Sequence, residues 1–149
     1  MSKKEIYVWA SFGSTTAILG YYLITVFGLS EAAPEVTARL ESLFVRVFLI
    51  AFVIEIGLDV FRSINKKEIY ADERDKQIEA RGTKNAYYFL VGAIFVVAGH
   101  EILNSFFGNL NLDTGYGALP YLTVHLLFVS AFLGMMIKSA TQLFFYLRG

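Results

Sequence analysis

The chain contains no cysteine, only two prolines and two histidines, and its formal net charge is zero. The absence of cysteine excludes disulfides, thiolate metal sites and thiol catalysis. A net charge of zero leaves no basic excess, so we expect no nucleic-acid partner. The sequence also lacks a Gly-rich phosphate loop and any pattern that pairs a nucleophile with a base. These absences argue against an enzyme.

Apolar residues dominate what is present. They make up 56% of the 149 residues, and most of them fall in four long runs. A helix needs roughly 20 largely apolar residues to cross a bilayer, whose hydrocarbon core is about 30 Å thick. The sequence therefore predicts one all-α integral membrane domain over residues 1–149. We expect a bundle of four transmembrane helices in the lipid bilayer, with spans at about 6–29, 43–61, 86–107 and 121–146.

The distribution of lysine and arginine indicates how the four spans are oriented. The N-terminal tail, the connection 62–85 and the C-terminus carry nearly all of these residues outside the spans, whereas the other two connections offer only Arg39. Cytoplasmic loops carry an excess of Lys and Arg. Both termini and the connection 62–85 are therefore predicted to lie in the cytoplasm, with the four spans in the plasma (inner) membrane. The first apolar run is too long for a signal peptide, and we expect it to remain as an uncleaved anchor.

The connection 62–85 ends in a charged segment that favours a helix. Asp72 suits the N-cap position, and acidic residues follow in the first turn, where the helix dipole favours them. One interpretation is a short solvated helical extension before span three. Another is a docking or gating surface that meets lipid phosphates or a cytoplasmic regulator. The residues of this charged segment are Asp72, Glu73, Arg74, Asp75 and Arg81.

The run Asp72-Glu73-Arg74, followed by Ala86-Tyr87-Tyr88 at the start of a span, resembles a family of small, uncharacterised four-span prokaryotic membrane proteins. Members of that family have an Asp-Glu-Arg loop between spans two and three. The resemblance implies the same topology. Because some relatives are encoded beside small helix-turn-helix regulators, it also implies a resistance or stress-response setting. It implies no active site.

Polar side chains inside the spans fall into two groups at different depths. Ionisable groups in a bilayer are costly and usually face a bundle interior or a water-filled cavity, so they mark candidate functional sites. Glu55 and Asp59 lie four residues apart on one helical face, and Lys138 is predicted to oppose them. The outer cluster, near the non-cytoplasmic ends, is Arg46, His100, Glu101, Asn104 and His125. The inner stripe, nearer the cytoplasm, is Glu55, Asp59, Lys138 and Gln142.

The outer cluster has three open interpretations. His100, Glu101 and His125 offer ligands suited to a divalent metal ion. The two histidines, at matched heights on neighbouring spans, could instead hold a haem iron from both sides. In the third interpretation Arg46 pairs with Glu101 and only fixes spans two and three together.

Small residues predict where the spans pack closely. On span one they form a ridge, and further contact points are expected on spans three and four. Since four spans enclose little interior, a path at a subunit interface is also expected, and we predict a homodimer. The ridge is Ala10, Gly13, Ser14 and Ala17, and the other points are Gly92, Gly99, Ser130 and Gly134.

The leading functional hypothesis is transport or permeation. In it the outer cluster admits a cation or a small cationic compound, and the inner stripe passes this ion or a coupled proton. The first alternative is a non-catalytic membrane sensor or immunity component that acts through the charged segment, with the polar groups serving folding alone. The second is a membrane protein that carries a metal ion or haem.

Overall fold

The computed structural model describes residues 3–27, 36–64, 72–109 and 121–148. Within these ranges the chain forms four α-helices and no β-strand, so the all-α prediction is confirmed. The side chain of Asp59, which belongs to the inner stripe, lies outside what is described. The helices are α1 (Lys3–Phe27), α2 (Val36–Ile64), α3 (Glu73–Asn109) and α4 (Leu122–Leu147).

Among the described residues, α3 and α4 are long and apolar enough to cross a membrane, so two helices meet this test rather than the four predicted. Composition explains the difference. In α1 the apolar residues alternate with glycine and with hydroxyl side chains such as Ser14, Thr15 and Thr16. In α2 Arg46 and Glu55 interrupt the apolar run. Only 11% of the apolar window of α3 and 22% of that of α4 is buried. Both helices carry exposed apolar side chains, among them Phe95 and Leu147.

Local signals set where α3 and α4 begin. The Lys76 amide donates to the Asp72 carbonyl at 3.2 Å, which places Asp72 at the N-cap position, as predicted. Before α4 the backbone of Tyr121 has a φ of 61°, in the left-handed region that bulky residues rarely adopt. The His125 amide donates to the Tyr121 carbonyl at 3.0 Å and closes the first turn of α4.

Successive helices run in opposite directions. Backbone packing joins α4 to α3 and to α1, and joins α1 to α2. The starts of α1 and α3 and the end of α4 meet through Lys4, Asp75 and Tyr146, and we call this the charged end of the bundle. At the opposite end the start of α4 meets the start of α2 through Tyr121 and Glu41. The start of α1 and the end of α4 therefore lie at the same end.

The contacts between the antiparallel helices α3 and α4 follow one register along their length. They therefore show which residues of the two helices lie at the same height. Its contacts show that the last turns of α4 lie beside the charged first turns of α3, and the predicted extension therefore packs along α4 instead of projecting alone. By the same register Lys138 lies near the height of Ala86, where the apolar run of α3 starts. The contacting pairs are Glu101 with Thr123, Leu90 with Gly134, Asn85 with Thr141, and Gly82 with Gln142.

The apolar core lies toward the other end, between α1, α2 and α4. The rings of Tyr22, Phe44, His125 and Phe128 pack together with centroid distances from 4.6 to 5.9 Å, and we call this the aromatic end. Tyr22 is only 1% exposed. The other buried residues of this core are Leu19, Val26, Leu40, Leu43, Val47 and Phe132.

Some of the small residues predicted as packing points contact another helix, and others do not. Gly134 packs on Leu90, as predicted, whereas Gly13, Gly92 and Gly99 have open space where a Cβ would stand. On α3 the packing face runs through Gly82, Ala86 and Leu90, at helical spacing. Gly92 is two residues beyond Leu90, about 200° around the helix, so it faces away from α4. The predicted ridge of α1 is likewise not a contact within the chain, since Ala10, Gly13 and Ala17 are exposed.

Candidate functional site

The structure divides the outer cluster between two faces of α4. His125 is buried on the face toward α1 and α2, where its Nδ1 forms a hydrogen bond with Tyr22 Oη and its ring centroid lies 4.8 Å from that of Phe44. Glu101 is exposed, and its Oε2 accepts a hydrogen bond from Thr123 Oγ1 at 2.6 Å. Thr123 and His125 are two residues apart, about 200° around the helix, so their partners lie on opposite sides.

This division removes the ligand sets proposed for the outer cluster. Within the described residues no group of three or more His, Asp or Glu side chains could hold a metal ion, so the site expected at His100, Glu101 and His125 does not form. A haem clamp does not fit either, because the His125 ring packs against Tyr22 and Phe44, on the face of α4 turned away from α3, which carries His100. The second histidine, His100, is half-buried on α3 together with Asn104.

The expected pairing of Arg46 with Glu101 is also wrong. Arg46 is exposed on α2, and the described parts of α2 and α3 do not pack against each other. Each flanks the central pair of α1 and α4 instead. Glu101 finds its partner on α4, in Thr123.

Three of the four inner-stripe residues line one cavity of about 160 Å³ at the charged end. All four helices line this cavity. Along α4 its lining extends from Tyr146 to Met135, roughly 16 Å at 1.5 Å per residue. The inner-stripe residues Glu55, Lys138 and Gln142 line it together with charged residues that were not assigned to this group, namely Lys4, Asp75 and Glu79.

An ion pair stands at the mouth of the cavity. Lys4 Nζ lies 3.0 Å from Asp75 Oδ2, with the two side chains 14% and 20% exposed. Tyr146 Oη donates to the other carboxylate oxygen, Oδ1, at 3.1 Å. Because a hydrogen bond to an ionised group is stronger than one between neutral groups, Asp75 fastens α1, α3 and α4 together at this point.

Helical spacing explains why these residues meet. On α1 Lys4, Tyr7 and Ser11 recur at intervals of three and four and so share one face. On α3 Asp75 and Glu79 are four residues apart. The sequence contained this signal, but Lys4 reads equally well as an orientation signal and Asp75 as part of a solvated segment. Only the position of α1 against α3 and α4 identifies them as lining residues.

The register of α3 and α4 corrects the expected depth of the inner stripe. The sequence places Lys138 eight residues before Tyr146, where span four is predicted to end, and so well inside the apolar run of α4. In the structure it lies near the height of Ala86, the first residue of the apolar run of α3. Lys138 and Gln142 therefore lie level with the start of the apolar run of α3, beside the cavity.

The charged segment also divides between two faces. Asp75 turns into the cavity, whereas Arg74 and Arg81 turn toward the end of α4 and contact Phe145. Asp72 and Glu73 are exposed. The segment is therefore not one surface, and its acidic and basic residues belong to different sites.

A separate contact closes the opposite end. Tyr121 Oη donates to Glu41 Oε1 at 2.9 Å and links the start of α4 to the start of α2. This hydrogen bond, together with the negative charge of Glu41, raises the pKa of Tyr121 above its ordinary value of 10.0. The contact joins Tyr121, whose backbone has the left-handed conformation, to α2.

Comparison with known proteins gives no relative. No family model, no characterised protein and no solved structure matches the chain. The resemblance to four-span proteins with an Asp-Glu-Arg loop therefore stays a prediction from that motif. Function has to be argued from the geometry of the bundle.

Proposed function

We propose that the chain is a four-span integral membrane protein with its charged end in the cytoplasm. Large apolar side chains face outward on three helices, among them Ile24, Val53 and Phe95 at 76%, 66% and 74% exposed. A soluble monomer rarely exposes so large a contiguous apolar surface. Placing the charged end in the cytoplasm also agrees with the excess of Lys and Arg in the connection and tail there. A bilayer around α1 and α2 as well as α3 and α4 would cover all of this surface.

We further propose that the cavity at the charged end is the inner half of a path for a cation or a small cationic compound. The observation that carries this proposal is the composition of the cavity lining. Glu55, Asp75 and Glu79 supply three carboxylates, against two ammonium groups from Lys4 and Lys138. An acidic excess in a partly enclosed space attracts cations and repels anions.

Aromatic and neutral polar groups add to this preference. Tyr7 and Tyr146 line the cavity, and aromatic faces attract organic cations. Ser11, Ser139 and Gln142 supply hydrogen-bonding groups along the wall. Such a lining suits a compound with an ammonium group and a small apolar body.

The aromatic end closes the path in this conformation. Above the cavity, the buried side chains of Thr15, Leu19 and Tyr22 on α1 face the core beside Phe132 on α4. In this proposal the described conformation is the state open toward the charged end. Passage would require the rings of the aromatic end to separate, as in alternating access.

Flux through purified protein in liposomes tests this proposal. Uptake of a fluorescent organic cation is compared for wild type and for Glu55→Gln and Glu79→Gln. Each substitution removes one carboxylate from the cavity, and we expect uptake to fall about tenfold, equivalent to about 1.4 kcal/mol. Glu73→Gln is the matched control, because Glu73 is exposed on the same helix outside the cavity, and it should leave uptake unchanged.

Glu101→Gln separates this proposal from the outer-cluster hypothesis. Glu101 is exposed and bonds to Thr123, away from the cavity, so its substitution should not lower uptake. Wild-type uptake no faster than in empty liposomes would remove the transport proposal. An equal loss in Glu73→Gln and Glu79→Gln would remove the role assigned to the cavity.

The predicted homodimer stays a proposal with its own test. The exposed small residues of α1, Ala10, Gly13 and Ala17, leave a face on which a second helix could approach closely. Light scattering of the purified protein should give twice the mass of the chain. Gly13→Leu should then lower this mass to that of one chain, and a single-chain mass for wild type would contradict the dimer.

A further inference from the structure

Three arginines meet two adjacent aromatic rings where α4 ends. Arg74 Nη2 donates to the carbonyl oxygen of Phe145 at 3.4 Å, and the Cζ atom of Arg81 lies 4.7 Å from the centroid of the Phe145 ring. The Cζ atom of Arg148 lies 4.3 Å from the centroid of the Phe144 ring. The two rings are 5.4 Å apart. We call Arg74, Arg81 and Arg148 the arginine row.

The arginine row keeps most of its hydrogen-bond donors available. A guanidinium group that stacks on a ring uses its face, and its N–H groups, which lie in the plane, still point outward. Within the described part of the chain, none of the three forms an ion pair with a carboxylate. The neighbouring acid Asp75 is bonded to Lys4 and Tyr146 instead. The row therefore presents planar donors and positive charge, the chemistry that recognises phosphate.

Exposed apolar side chains border the row. Phe144 and Leu147 are 47% and 67% exposed. Aromatic and apolar side chains beside cationic ones are typical of the membrane–water interface, where headgroup phosphates lie against hydrocarbon. A free phosphate ion would match the charges but would leave these apolar groups in water.

We propose that the arginine row binds the phosphate groups of anionic phospholipids in the leaflet at the charged end. The site takes ligands that carry both a phosphate and acyl chains. Phosphate oxygens accept from the outward N–H edges of the guanidinium groups, and the acyl chains cover Phe144 and Leu147. The site rests on the proposed membrane placement but not on transport, since the row lies outside the cavity.

Lipid retention by the purified protein tests the site. The protein is exchanged into nanodiscs of phosphatidylcholine with one-fifth phosphatidylglycerol, and native mass spectrometry measures which lipid stays bound after release. We expect wild type to favour phosphatidylglycerol and the double variant Arg74→Gln/Arg81→Gln to lose about tenfold of this preference. The control is Lys76→Gln, compared with the single variant Arg81→Gln. Each removes one positive charge, but Lys76 is two residues from Arg74, about 200° around α3, and so lies away from the row. This control should keep at least half of the wild-type preference.

Several outcomes would overturn the site. A loss in Lys76→Gln as large as that in Arg81→Gln would show attraction by overall charge and no built site. Displacement of the lipid by millimolar inorganic phosphate would assign the row to a soluble phosphate compound. An unchanged lipid preference, with loss of a bound cytoplasmic protein in the arginine variant, would assign it to a protein partner.

A single substitution at the end of α4 tests the site with little effect on folding. Arg148 follows the last residue of α4, so Arg148→Gln removes one member of the row without touching a helix interior. We expect it to lower the preference for phosphatidylglycerol about threefold. No change in a protein of wild-type helicity would overturn the assignment of Arg148 to the site. Cation uptake by the same variant should equal that of wild type, which separates this site from the transport cavity.

Discussion

The two ends of the bundle differ in how tightly their side chains pack. At the aromatic end, Tyr22, Phe44, His125 and Phe128 fill the space between α1, α2 and α4, and the buried imidazole of His125 bonds to the hydroxyl of Tyr22. At the charged end the same helices leave a cavity lined by five charged side chains. One end is closed and apolar, and the other is open and polar.

The difference teaches how this chain tolerates so many charges in apolar helices. In the proposed membrane placement, the charged side chains of the cavity lie at the height of the charged turns of α3 or of Ala86, where its apolar run starts, so water can reach them. Where α4 enters the apolar layer, its polar partners are single hydrogen bonds, such as Thr123 with Glu101. Polar groups near the charged end thus line the cavity together, whereas those near the opposite end form single hydrogen-bonded pairs.

The largest expected effect comes from breaking the aromatic end. Tyr22→Ala removes a ring that is 1% exposed and packs against three other rings, so the cavity it leaves should cost about 3 kcal/mol of unfolding free energy. Thermal unfolding in detergent, followed by circular dichroism, measures this loss. Tyr21→Ala is the control, because the Tyr21 ring is 45% exposed, and it should cost less than about 0.5 kcal/mol. Similar losses in the two variants would contradict a core at this end.

The sequence predicts the helices better than it predicts their neighbours. Apolar runs locate α1 to α4, and Asp72 marks the start of α3, because these signals are local. The closeness of α1 to α4, and the separation of α2 from α3, depend on packing between distant segments. Consequently His100 and His125 were expected to share a site that the bundle divides.

The close approach of α3 and α4 at Gly82 allows the charged end to be disturbed alone. A Cβ on Gly82 would stand 2.8 Å from the Lys138 carbonyl oxygen and from Gln142 Cγ, so α3 must move away from α4. We expect Gly82→Ala to cost about 2 kcal/mol of unfolding free energy. Gly92→Ala, on the same helix, meets open space and should be neutral or add up to about 1 kcal/mol through helix propensity. Equal effects of the two substitutions would show that α3 does not pack on α4 through Gly82.

The candidate site shows the same limit of sequence reasoning. Glu55, Lys138 and Gln142 could be grouped from helical spacing and estimated depth, and all three line the cavity. Lys4 and Asp75 could not, since their meeting depends on how α1 sits against α3. The height of Lys138 and Gln142 in the bundle could not be predicted either. It depends on the register between α3 and α4, which a residue count along α4 does not contain.

The smallest effect concerns the contact that closes the bundle beyond the aromatic end. The pKa of Tyr121 is raised from 10.0 by the hydrogen bond to Glu41 and by its charge, so the folded chain prefers the neutral phenol. Below pH 10 the phenol is protonated in the folded and unfolded chains alike, and the contact contributes fully to stability. Above pH 10 the unfolded chain ionises first, so this contribution declines and is lost as the pH rises through the raised pKa. The difference in melting temperature between wild type and Tyr121→Phe, measured from pH 8 to pH 11.5, should therefore be small and constant up to about pH 10 and then shrink. A difference that grows with pH would mean that the Tyr121 anion, and not the phenol, is the form that the folded bundle holds.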